Sequence, residues 1–228
     1  MNSTCNHLEC LQEIARLNNE GARYLASNVA NDGVKALKSA LVIMGGIADT
    51  VDMMMDCESE SQKSNDCCPS LEVPGLEDVF FIYNRAVLLD PSETSDLSAT
   101  NAIILFNLAL AFHQRGLLCG QEAKLGKAVH LYDLCTKLVY DVSSSLGPLI
   151  LAALNNQAQI YYSMGDYAKV EEQLQVIRSV AEYVTMPREN TRSSSNTNVN
   201  KPAFEQRHFE EIYLNVAITQ PPTTAASA

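Results

Sequence analysis

Between residues 8 and 26 the apolar side chains fall at Leu8, Leu11, Ile14, Ala15, Ala22, Leu25 and Ala26. That spacing of three and four puts them on one face of an amphipathic helix. A second helix is expected over 32–44, after which the pattern decays through Gly45 and Gly46 into the polar, acidic run 56–66, which has too little apolar surface to bury itself. From Ser98 the helical pattern returns and persists to about Thr185, with breaks at 116–120 and 143–148, giving four further helices in two pairs. One region reads differently. The apolar runs 79–83 and 86–89, separated by Asn84 and Arg85 and closed by Asp90 and Pro91, predict a small β-hairpin. Pro187 stops the last long helix, 190–200 is a Ser/Asn/Thr-rich linker, and 202–213 predicts a short helix carrying Phe204, Phe209 and Ile212 ahead of a patternless tail. The chain therefore divides into a first helical unit (1–55), a loop (56–75), a hairpin insertion (76–95), two more helical units (96–186), a linker (187–201) and a terminal helix and tail (202–228).

The helix pairs repeat one another. The first has Gly21, Tyr24, Asn28, Gly33, Leu37 and Ala40; the third has Ala158, Tyr161, Gly165, Val170, Leu174 and Ile177 at the same spacing. The second has Ala109, Phe112 and Gly116, then Ala128, Tyr132 and Cys135, matching on either side of a seven-residue insertion. A small group at Gly21, Ala109 and Ala158 lets the paired helix cross closely, and the aromatic three residues later fills the space between the two. Asn28, Gly116 and Gly165 stand where the first helix should end in a left-handed residue.

On these residues, over 14–47, 102–142 and 151–184, the chain resembles the tetratricopeptide repeat (TPR) family. It departs from that family in lacking the proline after each unit and in carrying Gly33, Val170 and Ile177 at second-helix positions. The resemblance implies an all-α fold of helix-turn-helix repeats, a TPR-like α-α superhelix, here with the hairpin inserted. It also implies binding of a peptide or partner protein in the groove lined by the first helices.

Two residues before each small position stands an asparagine: Asn19, Asn107 and Asn156, with Asn18 and Asn155 beside two of them. In similar repeats that position faces the groove. A side-chain amide both donates and accepts, so a row of them could grip an extended peptide's backbone whatever its sequence; equally, they could tie neighbouring helices together. His113, Gln159 and Tyr162 fall near the same face and could add selectivity. Where the carboxylate-binding members of the family carry basic residues, this chain has Asn18, Phe106 and Asn155, so capture of a chain terminus is not expected.

Charge narrows the partner. With 16 basic and 27 acidic residues the formal charge is −11, and no Lys/Arg cluster stands out, which disfavours nucleic acid and suits a neutral or basic ligand. The opening residues lack the basic-then-apolar pattern of a secretory signal, and the apolar stretch 102–112, interrupted by Asn107, is shorter than a membrane span. A protein of the cytoplasm or nucleus, with seven reduced cysteines, is the expectation. The alternative is a helical enzyme or metal protein using His113, Cys119, His130 and Cys135. His130 and Cys135, however, lie about 140° apart around a helix, and no paired Cys or His ligand motif is present. The reading is thus a non-catalytic scaffold without metal or cofactor, of unknown oligomeric state.

Overall fold

The computed structural model describes residues 7–45, 83–92, 96–140 and 146–185. These form six helices and no strand: α1 (His7–Ala26), α2 (Ala30–Met44), α3 (Leu97–Cys119), α4 (Glu122–Tyr140), α5 (Gly147–Ser163) and α6 (Tyr167–Thr185). The expected loop over 56–75, the linker 187–201 and the terminal helix lie outside the described residues.

Short turns fold the helices into three hairpins, α1 with α2, α3 with α4 and α5 with α6. The hairpins stack in chain order. The second helix of each packs on the first helix of the next, and the first helices α1, α3 and α5 touch in succession. The three turns share one device. Each closes on a left-handed residue, Asn28 (φ 58°), Gly120 (φ 60°) or Gly165 (φ 74°). The amide of the following residue then returns to a carbonyl five positions back: Val29 to Tyr24 at 2.8 Å, Gln121 to Gly116 at 2.9 Å and Asp166 to Tyr161 at 2.9 Å. That 6→1 bond satisfies a carbonyl left over at the helix end.

The second turn corrects the sequence reading. Gly116 does not end its helix; α3 runs on to Cys119 and Gly120 takes the left-handed conformation. Of the seven inserted residues, four lengthen α3 and three lengthen the start of α4, so the turn itself stays as short as the others. Gly116 serves a close approach instead. A Cβ there would lie 2.5 Å from Leu125 Cδ2, just as one on Gly21 would lie 2.6 Å from Leu37 Cγ.

Helix α3 is the centre of the core. Ile104, Leu105, Phe106, Leu108, Ala109, Leu110, Ala111 and Phe112 are all fully buried, on every side of the helix, as befits an element flanked by two others of its own layer and covered by a second. Its 23 residues make it the one helix among those described that is long and apolar enough to cross a membrane, yet about two-thirds of that stretch is buried inside the protein. The expectation of too short an apolar run considered only 102–112. Asp96 caps α3, its Oδ1 accepting from the amides of Ser98 and Ala99, each at 3.0 Å.

Residues 83–90 differ from the sequence expectation. They are extended but pair with no strand among the described residues, and Asn84 and Arg85 continue the segment instead of turning it. The other arm of the expected hairpin, residues 79–82, lies outside the described residues.

Candidate functional site

An extended backbone presents the N–H and C=O of one residue to the same side, and those of the next residue to the opposite side. Residues 83, 87 and 89 therefore face one way. Each is met by one asparagine side chain that accepts from its N–H and donates to its C=O. Asn156 of α5 holds Tyr83 with both bonds at 2.9 Å. Asn107 of α3 holds Val87 with both at 2.8 Å, and Asn19 of α1 holds Leu89 with both at 2.8 Å. The segment thus crosses all three hairpins, against their order in the chain.

The geometry has a simple origin. Packed helices lie about 8–10 Å apart, and an extended chain rises about 3.3 Å per residue, so the six steps from residue 83 to residue 89 cover roughly 20 Å, or two helix spacings.

The asparagines are tied to each other and to the layer beneath. Asn18 donates to Val87 O at 3.0 Å and to Asn19 Oδ1 at 3.2 Å, using both amide hydrogens. Asn107 spends its second hydrogen on Asn18 Oδ1 at 2.9 Å, joining α3 to α1. Asn156 spends its own on Tyr132 Oη at 2.9 Å. With every hydrogen of these three amides committed, their orientations are fixed. The asparagines join α3 to α1 through the Asn107–Asn18 bond and hold the backbone of the chain's own 83–89 segment.

Behind Asn156 a buried relay continues. His113 Nε2 and Gln159 Oε1 are 2.6 Å apart; the amide oxygen can only accept, so Nε2 carries the hydrogen and Nδ1 is left to accept from the Tyr132 hydroxyl at 3.5 Å. Burial drives the His113 pKa down to about 4, with the Gln159 bond opposing, and pushes the Tyr132 hydroxyl far above its ordinary value. His113 and Gln159 are both buried, and through Tyr132 they brace Asn156. Asn155 is buried as well, and Tyr162 is half-buried, packing edge-on against Tyr167 with ring centroids 5.8 Å apart.

The segment's side chains differ in environment. Tyr83 and Leu89 are buried, Ala86 and Val87 half-buried, Asn84, Arg85 and Leu88 exposed. Tyr83 stacks edge-on against Phe106 (centroids 5.8 Å, 61°), and Phe106 packs in turn on Tyr132 at 5.6 Å. Burial raises the Tyr83 pKa to about 12 despite the nearby Arg85 charge. Sequence reasoning missed three parts of this site: the 83–89 segment, Phe106 as an aromatic floor, and Tyr132 as the link between Asn156 and His113.

The residues of the metal alternative do not come together. No group of three or more His, Cys, Asp or Glu side chains converges among the described residues, His113 is engaged by Gln159, and the buried Cys135 thiol has its pKa pushed well above the usual range by desolvation. Comparison with known protein families, with curated proteins and with solved structures gives no match.

Proposed function

We propose that this protein is a non-catalytic interaction scaffold of TPR-like repeats that binds an extended segment of another polypeptide along Asn18, Asn19, Asn107 and Asn156. One observation carries the reading: three of these amides each bond both backbone groups of a single residue in an extended chain, a contact that requires no particular side chain. Main-chain bonds supply affinity and the buried positions flanking them supply selection, as in other modes of extended-peptide recognition. The repeated turns, close-crossing residues and stacked hairpins support assignment to the TPR type. The overall charge of −11 favours neutral or basic ligands.

The test is a peptide-display selection against a variant in which residues 83–89 are replaced by Gly and Ser at equal length. Selected peptides should share apolar residues at the first, fifth and seventh positions of a seven-residue stretch and lose binding when Asn19→Ala and Asn156→Ala are added. Binders indifferent to both changes would move the interaction to another face.

A further inference from the structure

We infer that the groove is closed in cis: residues 83–89 act as a built-in pseudo-ligand, and the partner's segment is an extended apolar peptide of the same pattern that must displace it. The inference rests on the peptide-binding reading and specifies both its ligand and its regulation.

The pattern follows from the seated segment. Backbone bonds fall on its first, fifth and seventh residues, Tyr83, Val87 and Leu89. The first and seventh side chains are buried and the fifth is half-buried. The second, third and sixth, Asn84, Arg85 and Leu88, are exposed and go unread. A displacing peptide should therefore carry an aromatic residue able to stack on Phe106, an aliphatic four residues on and another two after that, and it should run from α5 towards α1.

The tethers decide how hard displacement is. Only residues 90–96 separate Leu89 from the first turn of α3, whereas 46–82 lie between α2 and Tyr83. A short tether sets an effective concentration on the order of 1 mM. A free peptide with the segment's own sequence, binding no better than the segment, therefore half-displaces it only near that concentration. A physiological partner has to fit the same groove better.

Hydrogen exchange of the intact 228-residue chain, alone and with an acetylated, amidated synthetic peptide of residues 83–90, tests this directly. The amides of Tyr83, Val87 and Leu89 should exchange at least tenfold faster than those in the middle of α3. Added peptide should speed them further, with its half-effect at about 1 mM. In a Leu89→Asp variant, whose carboxylate cannot enter the buried site, fluorescence anisotropy of the labelled peptide should show binding tightened tenfold or more over the intact chain. Exchange of the three amides at the α3 rate would overturn the inference, making the segment a permanent strap and leaving other surfaces to bind partners. Locally opening amides combined with no response to several millimolar peptide, and no binding by the variant, would sink the peptide-binding reading of the asparagine row itself. Should Leu89→Asp fail to fold, exchange on the intact chain still decides between these cases.

Discussion

Asn107 is fully buried and makes three hydrogen bonds that no other residue type reproduces: it accepts from Val87 N–H and donates to Val87 O and Asn18 Oδ1. Asn107→Ala strands those partners, and since each buried group left unpaired costs about 1–3 kcal/mol, urea denaturation should show a loss of roughly 2–4 kcal/mol. Asn107→Asp should be worse, because a carboxylate faces two oxygens. His113 sets a pH dependence. Its folded pKa of about 4 lies below the value of 6.5 expected in the unfolded chain, so between those values the unfolded state binds the extra proton. Stability at neutral pH should therefore fall by about 3 kcal/mol as pH drops from 6.5 to 4, and His113→Gln should flatten that part of the profile. At Gly116 an added methyl meets Leu125, and Gly116→Ala should cost about 1–3 kcal/mol by overpacking. Combining it with Leu125→Ala should cost less than the two changes summed, because the truncation opens the space the methyl needs.

Helix ends and turns were the most readable elements, because a helix boundary is set by residues a few positions apart. Asn28 and Gly165 were legible as left-handed positions from their place at the close of an apolar stripe. Gly116 was misassigned because two glycines four residues apart both satisfy that local rule; only the packing of α4 against α3 separates a terminating glycine from a crossing one. The caps should behave as local devices. Asp96→Ala removes the acceptor for the Ser98 and Ala99 amides, and a thermal melt should register about 1 kcal/mol of lost stability. The extended segment is the element the sequence misled on. Its apolar runs predict an extended backbone with unmet N–H and C=O groups, and a second strand is the commonest way to meet them.

At the scale of the molecule, stacked hairpins contact only their neighbours, so their cooperation rests on few interfaces. The 83–89 segment is an exception, touching all three through bonds between residues as far apart in sequence as Tyr83 and Asn156 or Leu89 and Asn19. Replacing it with Gly and Ser should lower the denaturation midpoint and broaden the transition, as coupling between the end hairpins is lost. The amino-acid sequence by itself determined the helices, their pairing and the asparagine row, since apolar periodicity, turn residues and repeat spacing act over a few to a few dozen positions. Tertiary structure alone decided what lies on that row. An extended chain states that its backbone needs partners but not which, and only the stacking of α1, α3 and α5 sets three amides where Tyr83, Val87 and Leu89 can reach them.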